Sequence, residues 1–203
     1  MINSVTILDY IGTFAFAISG IRLAALKKFD WFGAYVVGLV TAIGGGTMRD
    51  VLLNTTPFWM HQPSYLICTA LALFSVILLG NHIIRFKHTF FIFDTIGLGL
   101  FVVVGINKTL EFGFPVWVAI FMGTLTGSAG GVIRDILINE VPLIFHKEIY
   151  AMACVLGGLI YWGCYYFGLE PAITQILSAS GVILARFLAV KYKIALPQLR
   201  NIN

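Results

Sequence analysis

Residues 44–57 read GGGTMRDVLLNTTP, and residues 129–142 read AGGVIRDILINEVP. An offset of 85 positions superimposes the two stretches and continues without a gap over residues 9–65 and 94–150. The identical pairs include Asp9 and Asp94, Gly12 and Gly97, Gly20 and Gly105, Gly38 and Gly123, Arg49 and Arg134, Pro57 and Pro142, and Tyr65 and Tyr150. Apolar composition alone would not align charges and prolines, so the match indicates an internal duplication.

The composition is that of a protein with lipid as its solvent. Of the 203 residues, 59% are hydrophobic and 11% are charged, and the mean hydropathy is +0.93, whereas about a quarter of the residues of a soluble domain are charged. Seven apolar stretches follow one another: Ile2 to Leu26, Trp31 to Met48, Pro63 to Asn81, Phe90 to Ile106, Phe114 to Ile133, Ile149 to Leu169 and Pro171 to Ala185. Most approach the roughly 20 residues that cross a bilayer as a helix, and none has the alternating period of a barrel strand. The sequence therefore predicts an all-α polytopic membrane protein with seven transmembrane helices.

Each copy of the duplication contains three spans. Because three is an odd number, the second copy must enter the membrane in the opposite sense from the first, which is the inverted repeat of many transporters. We expect one transmembrane domain over 1–203, with repeat one at 1–86, repeat two at 87–170, and a seventh helix and cytoplasmic tail at 171–203. The basic residues of the first span follow its apolar run, which favours an uncleaved helix over a signal peptide.

The distribution of basic residues predicts the orientation, since lysine and arginine are retained on the cytoplasmic face. One side of the spans holds Arg22, Lys27, Lys28, Arg85, Lys87, Arg134, Lys147, Arg186, Lys191, Lys193 and Arg200, and the other holds Arg49 and Lys108. We expect a multi-pass protein of the cell (inner) membrane, with the N-terminus outside and the C-terminus in the cytoplasm. The net charge of +4 is explained by this bias, and no nucleic-acid partner is expected.

Glycine clusters lie inside the second and fifth spans. Their members, with the neighbouring hydroxyl residues, are Gly44, Gly45, Gly46 and Thr41 in the second span, and Gly127, Ser128, Gly130, Gly131 and Thr126 in the fifth. Each interior glycine weakens a helix by about 1 kcal/mol relative to alanine, and backbone groups freed in lipid must be buried in protein or line a wet cavity. We expect functional kinks with unwound carbonyls at these sites. The alternative is close helix packing, because glycine and alanine at every fourth position form small-residue ladders.

Charged residues inside the spans form a second candidate site. Asp9, Arg49 and Asp50 lie toward one mouth, and inversion places Asp94, Arg134 and Asp135 toward the other. Ionisable groups within a membrane are expensive unless paired or hydrated, so they mark a pathway by default. Pairing of Asp9 with Arg49, and of Asp94 with Arg134, is equally consistent with structural clamps.

The chain offers little for a cofactor, a metal or catalysis. Cys68, Cys154 and Cys164 lie in apolar spans without metal-binding spacing. His61 and His146 occupy equivalent loops at helix ends, away from the depth at which an intramembrane serine would need a base. Phe58, Trp59 and Tyr65 suit an interfacial aromatic belt. We expect no enzyme, no cofactor and no metal.

The pattern GGGTMRDVLLN-x2-P, repeated as AGGVIRDILIN-x2-P, resembles the bacterial and archaeal branch of the trimeric intracellular cation (TRIC) channels, a group that overlaps a family described as glycine transporters. The resemblance covers nearly the whole chain. It implies a homotrimer with a pore inside each six-helix repeat, kinks at Gly44, Gly45, Gly46, Gly130 and Gly131, and a supporting seventh helix. It also implies monovalent cations as the permeant ions, chiefly potassium, with sodium as a second candidate. Ala129 departs from the first copy's glycine at one kink position.

Three functions remain open at the level of sequence. A channel would solvate a cation weakly with carbonyls and the hydroxyls of Thr41, Thr126 and Ser128. A transporter would use the positive N-terminus of a half-helix to hold the carboxylate of glycine or another small amino acid. A membrane scaffold would pack the glycines dry.

Overall fold

The computed structural model describes residues 4–85, 89–145 and 149–195. They form seven long helices: α1 (Ser4–Leu26), α2 (Trp31–Leu52), α3 (Ser64–Arg85), α4 (Thr89–Glu111), α5 (Val116–Leu137), α6 (Ala151–Tyr166) and α7 (Pro171–Tyr192). Five of them are long and apolar enough to cross a membrane by themselves, while the apolar parts of α3 and α6, Ser64–Gly80 and Ala151–Tyr166, are shorter. The predicted all-α fold with seven helices is confirmed. His146, Lys87, Lys147 and Arg200, which served the sequence interpretation, lie outside the described residues.

The two copies of the duplication fold alike. Adding 85 to the bounds of α1 and α2 gives the bounds of α4 and α5, and the short 3₁₀ turn at Phe58–Met60 recurs at Leu143–Phe145. Both α2 and α5 end in the same way, with an asparagine in the left-handed region at Asn54 (φ 54°) and Asn139 (φ 56°). Asparagine tolerates this conformation after a helix C-terminus better than most residues. The duplicated sequence therefore encodes helix ends as well as apolar spans.

The core lies where the two repeats meet. α1 packs on α4, and α2 packs on α5, while α3 flanks α1 and the α6–α7 pair covers α4. At the centre the equivalent residues Phe16 and Phe101 stack edge to face, with ring centroids 5.1 Å apart. Each ring lies against a glycine of the other repeat: Phe101 against Gly12, and Phe16 against Gly97. This reciprocal packing is what a pseudo-two-fold axis between inverted repeats requires.

The outer surface of the bundle is apolar. Large hydrophobic side chains stand on it with most of their area exposed, among them Leu78, Phe32, Trp117 and Trp31. Buried side chains, in contrast, include aspartates and arginines. A soluble domain rarely exposes apolar patches on this scale, so this distribution is that of a membrane protein.

The bundle has two ends. The N-terminal face is the end at which α1 begins and α2 ends, and the C-terminal face is the end at which α1, α5 and α7 end. Ser4 of α1 and Gln175 of α7 are hydrogen-bonded at the N-terminal face.

Candidate functional site: two buried charge clusters beside a glycine crossing

The two central helices α2 and α5 touch backbone to backbone. A Cβ atom added to Gly45 would overlap the carbonyl oxygen of Thr126, and one added to Gly130 would overlap that of Thr41, both well inside the 3.0 Å below which real Cβ atoms essentially never approach. Gly45 and Gly130, like Thr41 and Thr126, are equivalent positions of the repeats. The crossing therefore lies on the pseudo-symmetry axis and leaves no room for any side chain.

The neighbouring glycines make room for other groups. Gly46 lies against the ring of Phe58, and Gly131 lies against the hydroxyl of Tyr150, which are groups of the loops that follow α2 and α5. Gly127 faces the carbonyl of Leu98, and Gly44 faces Ile133. The packing alternative raised by the sequence is thus realised at these positions, since each glycine has a close neighbour.

The expectation of half-helices with unwound carbonyls is wrong. Every residue of α2 from Trp31 to Leu52 and of α5 from Val116 to Leu137 is helical, including all the glycines. The helical cost of a glycine is only about 1 kcal/mol, whereas unsatisfied carbonyls in a bilayer cost several kcal/mol each. The backbone therefore stays helical through both clusters. A bend within an unbroken helix remains a prediction.

The hydroxyl groups beside the crossing bond to their own helices. Thr41 Oγ1 donates to the carbonyl of Val37 (2.6 Å), Thr126 Oγ1 to Met122 (2.6 Å) and Ser128 Oγ to Thr124 (2.7 Å). A hydroxyl that has donated its hydrogen retains its oxygen lone pairs as acceptors. These three oxygens are therefore oriented as acceptors, the polarity that suits a cation.

At the N-terminal face lies a cluster of Asp9, Arg49, Asp50, Tyr65 and Lys108. Asp50 is fully buried and receives the guanidinium of Arg49 at 2.8 Å and the ammonium of Lys108 at 2.9 Å. Asp9 accepts a hydrogen bond of 2.6 Å from the hydroxyl of Tyr65. Buried charges persist in proteins when they are paired in this way.

At the C-terminal face lies the equivalent cluster of Asp94, Arg134, Asp135, Tyr150 and Arg186. Arg134, which is fully buried, forms ion pairs with both Asp94 and Asp135 and also donates to Ser19 of α1 (3.0 Å). Arg186 of α7 approaches Asp94 at 4.0 Å and stacks on the ring of Tyr150. Four helices and the loop before α6 thus meet at one buried network.

In both clusters the second aspartate also caps the following loop. Asp50 Oδ2 accepts the backbone N–H of Phe58 at 2.9 Å, and Asp135 Oδ2 accepts that of Leu143 at 3.0 Å. This contact fixes the 3₁₀ turn that follows each helix. Asp50 and Asp135 therefore act as structural clamps, whatever else the clusters do.

The clusters differ in the partner of the first aspartate. The predicted pair of Asp94 with Arg134 is present. Its counterpart is not, because among the described residues the ion pair of Arg49 is with Asp50, while Asp9 is held by Tyr65. In the second repeat the hydroxyl of Tyr150 has no hydrogen-bond partner within the described part of the chain. The two repeats thus hold the same residues in different arrangements.

Sequence reasoning missed four participants: Tyr65, Lys108, Tyr150 and Arg186. Tyr65 is 4% exposed, so its assignment to an interfacial aromatic belt is wrong; its identity with Tyr150 across the repeat was the available signal. Lys108 and Arg186 were counted only as flanking charges. Lys108 lies in the last turn of α4, and Arg186 lies more than one turn before the end of α7. These positions within helices could have identified them, since charges within a span need partners.

A cavity opens beside the charge cluster at the C-terminal face. It has a volume of about 460 Å³ and reaches Asp135, with Leu23, Phe90 and Glu140 among its walls. Lys27 and Glu140 form an exposed salt bridge at its rim. A second cavity of about 410 Å³ lies at the N-terminal face between α4, α6 and α7.

Comparison with known proteins identifies the family. The model of the glycine transporter family matches residues 6–81 and 91–166, once on each repeat. The UPF0126 inner membrane protein YadS of Escherichia coli (strain K12) is 38% identical over 94% of this chain and 93% of its own length, and a UPF0126 membrane protein of Vibrio cholerae is 36% identical over 94% and 81%. The chain belongs to the UPF0126 family.

Solved structures place prokaryotic TRIC channels in the same group. A protein from a study of conductance through TRIC cation channels is 34% identical, with a TM-score of 0.86 and 98% of both chains covered. The TRIC orthologue from Rhodobacter sphaeroides is 33% identical, with a TM-score of 0.86 over 94% of this chain and 98% of its own. A TRIC channel from C. elegans shares the fold, with a TM-score of 0.63 at 14% identity. This UPF0126 protein is therefore an integral membrane protein of the prokaryotic TRIC branch, and the resemblance predicted from its duplicated motif is confirmed.

Proposed function

We propose that this protein is a potassium-permeable channel for monovalent cations, with a pore in each protomer of a homotrimer. The observation that carries the proposal is the match to TRIC cation channels at 33–34% identity over nearly the whole chain. We place the pore inside the two inverted repeats, and we propose the N-terminus outside and the C-terminus in the cytoplasm of the cell membrane.

The polar groups of the interior fit a cation pathway. Thr41, Thr126 and Ser128 present hydroxyl oxygens beside the crossing, with their hydrogens turned back to the helix. Oxygen acceptors that hold an ion weakly permit both entry and release. The charge clusters at the two faces would form the mouths, and the glycines would set the helix spacing and any bend that shapes the constriction.

Transport of glycine is the second candidate, supported by the description of the matching family. Unbroken α2 and α5 disfavour it, because a carboxylate site built from exposed N–H groups needs a helix that starts inside the membrane. No such start occurs in the described parts of α2 or α5, whose N-termini lie at Trp31 and Val116.

The decisive experiment compares the two functions in one preparation. Purified protein in liposomes and planar bilayers should give discrete single-channel potassium currents and no saturable uptake of labelled glycine. Saturable glycine uptake without unitary currents would replace the channel with the transporter. The absence of both activities in a correctly assembled trimer would favour a scaffold.

The hydroxyl groups can be tested by isosteric substitution. Thr41→Val and Thr126→Val keep the shape of the side chain but remove the acceptor oxygen, so we expect the unitary potassium conductance to fall severalfold. Thr69→Val is the matched control, since Thr69 is also fully buried and bonds to its own helix at Tyr65, but on α3. If all three variants keep the conductance of the parent protein, Thr41 and Thr126 are excluded from the pathway.

A further inference from the structure

In each of the two charge clusters, two carboxylates are matched by two cations, but the second cation comes from a different part of the chain in each cluster. Each repeat supplies two aspartates and one arginine: Asp9, Asp50 and Arg49 in the first, and Asp94, Asp135 and Arg134 in the second. Taken alone, each of these sets has one more negative charge than positive. A second cation completes each cluster, Lys108 at the N-terminal face and Arg186 at the C-terminal face.

The duplication does not account for Lys108 and Arg186, the second cation of each cluster. Lys108 belongs to α4, and its equivalent in α1 is Leu23. Leu23 lines the cavity that reaches Asp135, so the place that a lysine fills at one face is occupied by an apolar side chain at the other. Asp94, Asp135 and Arg134 by themselves carry one net negative charge.

The missing charge comes from α7, which lies outside the repeats. The Arg186 side chain is 1% exposed, and its guanidinium lies 4.0 Å from Asp94 Oδ2. Nη1 donates to the carbonyl of Ile149 at 3.1 Å, and the group lies over the rings of Phe91 and Tyr150. These contacts hold the positive charge at a defined place in the network of the second repeat.

We propose that Arg186 is the counter-charge that α7 contributes in place of the lysine absent from α1, and that it sets how tightly the C-terminal mouth holds a permeating cation. The inference rests on the proposed cation conduction. A buried carboxylate without its compensating cation attracts a mobile cation strongly, and an ion that binds too tightly leaves slowly. Arg186 would thus keep the mouth polar but weakly binding, which gives α7 a role in permeation beyond support.

The test measures single-channel conductance as a function of KCl concentration. Arg186→Gln should lower the half-saturating potassium concentration roughly tenfold or more, because a unit charge near a buried carboxylate is removed, and it should lower the maximal conductance. Lys191→Gln is the control, since it removes the same charge from the same helix at an exposed position; it should leave both quantities unchanged.

The equivalence of the two repeats suggests a substitution that would compensate for the loss of Arg186. Adding Leu23→Lys to Arg186→Gln places a lysine where the other repeat has Lys108, facing the cavity that reaches Asp135. This double variant should return the half-saturating concentration to within about twofold of the parent, as an equal charge is restored near the same carboxylates. A single variant that behaves like the parent, or a double variant that stays shifted, would overturn the proposal.

Assembly provides a readout that does not depend on conduction. Removing one partner of a buried ion network is strongly destabilising, so Arg186→Gln can also reduce the yield of folded protein on size exclusion. If Arg186 acts by supplying a compensating charge, adding Leu23→Lys should restore the yield. A double variant that also fails to assemble would refute this role of Arg186. If the parent protein carries no potassium current, the proposed function fails, while the rescue of assembly still decides the origin of the charge balance.

Discussion

At the scale of the residue, equivalent positions of the two repeats have the same side chains but different partners. Tyr65 donates to Asp9 at 2.6 Å, whereas the buried hydroxyl of Tyr150 has no hydrogen-bond partner among the described residues. The ion pairs differ as well: Arg134 pairs with both Asp94 and Asp135, whereas among the described residues Arg49 pairs with Asp50. Identical residues can thus contribute unequally to stability.

This asymmetry predicts unequal effects of the same substitution. Tyr65→Phe should lower the free energy of unfolding by about 1–3 kcal/mol, because the half-buried carboxylate of Asp9 loses its hydrogen-bond donor. Tyr150→Phe should be nearly neutral, since it removes a hydroxyl without a partner and keeps the ring beneath Arg186. Thermal unfolding of the detergent-solubilised protein measures both. A larger loss for Tyr150→Phe would mean that its hydroxyl has a partner in the membrane.

At the scale of the element, glycines of α2 and α5 determine how closely these helices approach. The sequence favoured kinks, but both helices are continuous through their glycine clusters. Gly45 and Gly130 instead lie against carbonyl oxygens of the partner helix. Small residues at a crossing allow the close packing on which helix association in membranes depends.

Alanine substitution distinguishes these glycines from others. Gly45→Ala and Gly130→Ala should each lower stability by about 1–3 kcal/mol through overpacking, although alanine favours a helix. Gly163 is the matched control, because it lies within α6 with no atom near its missing Cβ. Gly163→Ala should raise stability by up to about 1 kcal/mol. Trimer yield and melting temperature report the outcome, and tolerated alanines at the crossing would contradict the packing account.

At the scale of the whole molecule, the bundle is a pair of inverted repeats closed by α7. The pseudo-symmetry is visible in the Phe16–Phe101 contact and in the glycine crossing. It is broken by Lys108 on one face, by Arg186 on the other, and by the Lys27–Glu140 salt bridge at the C-terminal cavity. The two mouths of the proposed pore are therefore chemically distinct, and their assignment to the two sides of the membrane has functional meaning.

The charge bias predicts that assignment. Lysine and arginine concentrate at the C-terminal face, which we therefore expect in the cytoplasm. A green fluorescent protein fused after Asn203 should fluoresce, and alkaline phosphatase at the same site should be inactive. A cysteine at the exposed Thr56 of the N-terminal face should react with an impermeant reagent added to intact cells. If this cysteine is labelled only after cell lysis, the protein has the opposite orientation in the membrane.

Several features were determined by the sequence itself. The apolar spans predicted seven helices because backbone groups in lipid must bond within their own helix. The duplicated motif predicted the repeat and the family because it aligns glycines, charges and prolines that composition does not dictate. The cost of leaving charges unpaired in a membrane predicted the pair of Asp94 with Arg134, which is present. The same argument predicted a pair of Asp9 with Arg49, and that prediction is wrong, because Asp9 is bonded to Tyr65 and Arg49 pairs with Asp50.

Only the tertiary structure decided what those residues contact. The close approach of α2 and α5 at Gly45 and Gly130 depends on a carbonyl oxygen that occupies the place of the missing side chain, and the residue that provides it is more than 80 positions away in the chain. Lys108 pairs with Asp50, and Arg186 approaches Asp94, because of the helices that meet at each face. Spacing along one chain records which residues share a helix. The distances that set packing and electrostatic energies arise between helices, and they exist only when the two repeats and α7 are packed together.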